Sequence, residues 1–196
     1  DVAQYDLFLE ALKQSCPVPI QFEQIEGGGK GYFHTVENRI AIQEGMSQVQ
    51  TIKTIIHEMT HQKLHATHPD TQADPLEPRL TRNHKEVEAE SVAFTVCQHY
   101  GIDTGDYSFA YVAGWSHGKE TPELKASLDK IRRTASEMIT AIDEHLTILQ
   151  KEHGIEVTAP ASTLANLHAK AAQSEQAKAL KLACNKPKQA RKEESR

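Results

Sequence analysis

His57-Glu58-Met59-Thr60-His61 constrains this chain more than any other stretch. Histidines four apart leave one face of a helix, about one turn from each other. Two imidazoles so placed commonly bind zinc, and the glutamate beside the first serves as base. The surrounding sequence reads as a helix. Val49, Ile52, Ile55, Ile56, Met59 and Leu64 recur at helical spacing, which marks a buried stripe. Ser47 is the predicted N-cap, with Gln50 as its capping-box partner. The helix should stop near Ala66, before His68-Pro69.

Two histidines leave a catalytic zinc short of a ligand, since such sites take three protein donors and keep one position for water. The first choice is Glu86, in Lys85-Glu86-Val87-Glu88-Ala89-Glu90. Glu86 and Glu90 are four apart and share a helix face. Glu88 points elsewhere. Glu86 is assigned as ligand and Glu90 as the partner that fixes the orientation of a ligand histidine. His84, His117, Glu88 and Glu90 remain as competitors for the third position. His65 lies on nearly the same face as His57 but about 12 Å along the helix, too far for one ion with bonds of about 2 Å.

The remaining segments predict a mainly helical α+β domain with a small antiparallel hairpin before the motif helix. Val2 to Lys13 is amphipathic, and Cys16-Pro17-Val18-Pro19 ends that helix. Ile20 to Ile25 reads as a short strand. Gly27 to Gly31 is a turn without the spacing of a phosphate-binding loop. Gly31 to Thr35 and Arg39 to Gln43 make the hairpin, with Asn38 in its turn. A proline-rich loop follows, residues 67 to 80. A helix over 83–100 ends at Gly101. Asp106 to Ser116 carries Tyr107, Phe109, Tyr111 and Trp115, and reads as a short helix. Thr121-Pro122 starts a long helix to about residue 152. Its predicted apolar face holds Leu124, Leu128, Ile131, Ala135, Met138, Ile142 and Leu149. The domain is expected over 1–155. Residues 156–196, rich in Ala, Lys and Gln, read as a peripheral helix or mobile tail.

Composition excludes several classes. A net charge of −5 offers no general attraction to nucleic acid or anionic membrane. The basic run Lys186 to Lys192 is only a short cationic patch. No stretch is long and apolar enough to span a bilayer, and no signal peptide is visible. Asp1 stands where Met would begin a full chain, which points to a piece of a longer protein. Cys16, Cys97 and Cys184 are odd in number and scattered, as in a reduced, cytoplasmic protein.

His57-Glu58-Met59-Thr60-His61 with His65, followed by Glu86-Val87-Glu88-Ala89-Glu90-Ser91-Val92-Ala93-Phe94, resembles the ImmA/IrrE family of zinc metallopeptidases. It is also similar to the metallopeptidase domain of ArdC-type antirestriction proteins, a likeness that extends to Tyr107 through Trp115. It covers roughly residues 1–120. The resemblance implies a zincin fold and one Zn2+ held by His57, His61 and Glu86, with Glu58 as general base. It implies hydrolysis of peptide bonds, often in a regulatory protein of a mobile element. Two positions depart from the pattern: Thr60 stands where relatives carry Gly, and Glu90 where they often carry Asn or Asp. The single-stranded-DNA-binding region of ArdC-type proteins has no counterpart here, so no nucleic-acid partner is expected.

The expected chemistry is amide hydrolysis, with Glu58 taking a proton from the attacking water. Tyr111 is the first choice to stabilise the tetrahedral intermediate; Tyr107 and His117 follow. Arg39 to Gln43 is expected to offer a strand edge to an extended peptide. The alternative is a catalytically silent zincin-fold module that binds a regulatory or conjugation protein.

Overall fold

The prolines and glycines of this sequence set its element boundaries. A computed structural model describes residues 2, 4–66, 81–104 and 121–155. Helix α1 (Tyr5–Ser15) buries Phe8, Ala11 and Leu12, and ends where Cys16, just before Pro17, turns to extended backbone. Strand β1 (Ile20–Glu23) follows, then a single 3-10 turn at Glu26–Gly28. Strands β2 (Gly31–His34) and β3 (Arg39–Gln43) form the predicted hairpin, in register Gly31 with Ile42 and His34 with Arg39. Asn38 supplies the left-handed residue of its turn, at φ 49°.

β1 pairs with β3 in parallel, Ile20 opposite Ile40 and Glu23 opposite Gln43. The sheet is therefore mixed, in the order β1-β3-β2. This corrects one expectation: β3 is central and offers no edge to a peptide. Its residues explain the placement, because Ile40, Ala41 and Ile42 are all buried. Consecutive residues alternate between the two faces of a sheet, so β3 is covered on both faces as well as paired along both edges.

Helix α2 (Gln48–His65) carries the motif. The Ser47 hydroxyl accepts from the Gln50 backbone N–H, so the cap is as predicted. The reciprocal half of the capping box is absent from the described hydrogen bonds; the Gln50 side chain instead donates to Thr54 Oγ1 and accepts from Lys30 Nζ. Helix α3 (Arg82–His99) is capped by Thr81. Gly101, at φ 70°, closes it with bonds from Gly101 N–H to Gln98 O and Ile102 N–H to Cys97 O. Ala89 and Ala93 are fully buried, small enough for α2 and α3 to pack closely.

Helix α4 (Thr121–Glu152) packs against α1 and α3. Ile131, Ala135, Met138, Ile142 and Leu149 join the core around Leu12, Ile52, Ile55, Ile56 and Val96. The buried stripe begins at Ile131; Leu128, predicted on it, is 52% exposed. Cys16 and Cys97 are free thiols. Among the described residues no helix is long and apolar enough to cross a membrane. The chain divides into Asp1–Pro160 and Ala161–Arg196. The second unit, the loop over 67–80 and the aromatic segment over 106–116 lie outside the described residues.

Candidate metal centre

α2 turns its apolar stripe inward and its histidines toward an open cleft of about 810 Å³, which Gly31, Phe33, Thr54 and Glu86 also line. His57 Nε2 and His61 Nε2 stand 3.0 Å apart. Glu86 Oε2, from the first turns of α3, lies 3.5 Å from the first and 3.8 Å from the second. One donor atom from each of these three residues lies within 4.8 Å of the others.

The far nitrogen of each ring has its own partner. His57 Nδ1 faces Glu90 Oε2 at 3.4 Å. His61 Nδ1 faces His65 Nδ1 at 2.9 Å. When the outer nitrogens carry the ring protons, both Nε2 atoms keep their lone pairs. Three acceptors then converge with no donor among them. Such a set repels itself unless a proton or a cation sits between its members. The edges suit a cation: four-coordinate zinc with bonds of about 2.0 Å holds its ligand atoms about 3.3 Å apart. His57, His61 and Glu86 thus fit the metal that the motif implies.

The ionisation behaviour follows from the same crowding. Burial works against a charged His57, but hydrogen bonds to Glu86 and Glu90 outweigh it and raise its pKa to about 9. Hydrogen bonds to the two rings hold Glu86 well below the usual carboxylate range. Both shifts favour a protonated His57 beside an ionised Glu86.

Glu58 sits beside His57 and is buried. Burial pushes its pKa up, against the lowering effect of the nearby rings and of a backbone hydrogen bond from Phe33. β2 lies this close to α2 because residue 31 is glycine. A Cβ there would stand 2.7 Å from Thr54 Cγ2, 3.0 Å from Ala41 O and 3.2 Å from Glu58 Cγ.

The structure brings His57, Glu58, His61, Glu86 and Glu90 to one place. His84 is elsewhere: its ring bonds the capping Thr81 hydroxyl at 2.8 Å. Tyr111, Tyr107 and His117 lie outside the described residues. Four supporting roles escaped the sequence reading, those of Lys53, His65, Glu88 and Lys130. Lys53 is ion-paired with Glu90, both side chains being 9% exposed. Glu88 Oε2 meets His65 Nε2 at 3.0 Å, and Glu88 Oε1 accepts from Lys130 Nζ at 3.0 Å. Burial alone would raise the Glu88 pKa; those two hydrogen bonds outweigh it and hold it below its usual value. The signal for His65 was its spacing four beyond His61. The signal for Lys53 was a cation inside an otherwise buried stripe.

No protein-family model matches the chain, and no solved structure matches it. The uncharacterised protein pXO2-81 of Bacillus anthracis is 35% identical over 107 residues. The match takes in 54% of this chain and 17% of that protein.

Proposed function

We propose that this chain is a zinc-dependent peptidase of the ImmA/IrrE kind, close to the ArdC-type metallopeptidase domain. The observation that carries the proposal is the convergence of His57 Nε2, His61 Nε2 and Glu86 Oε2 beside a buried glutamate. A zinc ion held there would supply Lewis acidity toward the scissile carbonyl and an acidified water. Glu58 takes the proton of the attacking water and returns it to the leaving amine. A carboxylate with a raised pKa is the stronger base, and once protonated the more persistent donor. His57 and His61 keep their Nδ1 protons on Glu90 and His65, which leaves Nε2 free to ligate.

An extended peptide has a strand to join. β2 has β3 on one side and no described strand on the other, and Tyr32 and Phe33 line the cleft. Backbone pairing along β2 would orient a substrate with little demand on its side chains. The substrate we infer is a regulatory protein linked to a plasmid or conjugative element, a setting supported by the likeness to a plasmid-encoded protein of Bacillus anthracis. A cytoplasmic location belongs to the same reading and is supported by the free Cys16 and Cys97 thiols.

The test is a peptide-library digest read by mass spectrometry, comparing zinc-loaded wild type with Glu58→Gln. Both should hold about one zinc per chain, and only wild type should cut. Equal cutting by Glu58→Gln, or no zinc-dependent cutting by wild type, would refute the peptidase reading.

A further inference from the structure

His65 is not one of the three residues whose donor atoms converge, yet it is not idle. Its ring touches His61 on one side and Glu88 on the other, at 2.9 and 3.0 Å. The His65 side chain is 4% exposed and that of Glu88 is 1% exposed. Burying a carboxylate so completely is costly, and an apolar residue of similar volume would often leave a protein equally stable or more so. Glu88 is also anchored from a third helix, since Lys130 of α4 donates to its other oxygen.

The hydrogen bonds admit one consistent arrangement when His61 presents a lone pair at Nε2. Its proton is then on Nδ1 and is donated to His65 Nδ1. That nitrogen must accept, so the His65 proton lies on Nε2 and is donated to Glu88 Oε2. Glu88 stays ionised against the Lys130 ammonium. The chain therefore runs Lys130, Glu88, His65, His61, and each member fixes the next. It parallels the shorter chain Lys53, Glu90, His57 on the other ligand. One ligand is held by a carboxylate directly. The other is held through an imidazole that spans the extra distance to α3.

We propose that His65 is a positioning residue for His61, with Glu88 and Lys130 behind it, so that helix α4 is part of the support of the metal centre. The inference rests on the metal-site reading above. Its consequence is that a substitution on α4, on the far side of Glu88 from the ligands, should weaken metal binding.

The experiment uses the full chain and Zn2+ alone, titrated against a chelating dye. His65→Phe should weaken zinc binding about 10- to 100-fold, the range for partners that orient ligand histidines. Lys130→Met should weaken it less, by about threefold to tenfold, being two bonds further back. Lys130→Arg should restore wild-type affinity, because it keeps the charge and a donor. Urea unfolding of each metal-free variant separates a lost fold from a lost ligand orientation. Nitrogen-15 spectra of the zinc-loaded wild type should show the proton of His61 on Nδ1 and that of His65 on Nε2. A proton on His65 Nδ1 would overturn the proposal outright. So would unchanged zinc affinity in both His65→Phe and Lys130→Met. A wild type that takes up no zinc would bring down this proposal and the peptidase reading together. A wild type that binds zinc, with variants that bind it equally, would bring down this one alone.

Discussion

Gly31→Ala is the smallest change that tests how β2 is seated on α2. The new methyl would meet Thr54 Cγ2 at 2.7 Å, Ala41 O at 3.0 Å and Glu58 Cγ at 3.2 Å. Carbon atoms rest about 3.5–4.0 Å apart, so the strand or the helix must shift. Overpacking of this kind costs about 1–3 kcal/mol. Part is offset, because alanine restricts the unfolded chain and so stabilises by about 0.4–1 kcal/mol. The expected net loss is about 1–2 kcal/mol, which for a unit of this size lowers Tm by about 2–8 °C. Thr54→Ser removes the methyl that makes the shortest contact and keeps the hydroxyl that accepts from Gln50. Alone it should cost about 0.5–1.5 kcal/mol, as loss of one buried methyl does. In the double variant the alanine methyl occupies the space that the threonine methyl vacates. The two changes should therefore couple favourably, by about 1 kcal/mol. Urea unfolding of the four proteins closes the cycle. Additivity to within about 0.3 kcal/mol would show that Thr54 does not set the approach of β2. A Gly31→Ala chain as stable as wild type would remove the reason given for glycine at that position.

Three further outcomes follow from the described contacts. Lys53→Met leaves Glu90 buried without its ammonium partner and should cost about 3–5 kcal/mol by urea unfolding; a loss below about 1 kcal/mol would mean that water reaches Glu90 freely. Tyr100→Phe removes the hydroxyl that donates to Asp143 Oδ1 at 2.8 Å across α3 and α4, and calorimetry should record a loss of about 1–2 kcal/mol. Because the His57 pKa is raised to about 9 in the metal-free chain, its contribution to stability is fully present below about 6.5 and is lost as pH rises through about 9. Zinc bound at the proposed site would have to displace a proton from His57, so affinity measured against a chelator of known pH dependence should climb from pH 6.5 and level off above about pH 9; a flat profile would refute the raised His57 pKa.

The helices were legible because their signals are local. Ser47, Thr121-Pro122, Cys16-Pro17 and Gly101 mark ends that a backbone cannot easily ignore, and the stripe over Ile52 to Met59 fixes which face of α2 is inward. The cluster of His57, His61 and Glu86 was legible because one spacing rule places the first two and a second helix supplies the third. Pairing across the sheet was less so. Ile40-Ala41-Ile42 holds the clue to a central strand in its unbroken apolar run, but the hairpin pattern around Asn38 drew attention to β2 alone. The supports of the site were hidden for another reason. Lys130 lies 42 residues from Glu88, and no periodicity within either helix announces that they meet. Glu88, read from its spacing only as pointing away from Glu86 and Glu90, is buried and held by Lys130 of α4.

The first and last described helices pack against each other, and Gln150 donates to Gln4 across the junction. A ribosome finishes His57, His61 and Glu86 long before it finishes the helix that shelters Phe8 and Leu12. At about 5–20 residues per second, the interval from residue 104 to residue 152 lasts about 2–10 s. During that time the nascent chain carries His57, His61 and Glu86 on an unclosed scaffold, with greasy surface open to chaperones.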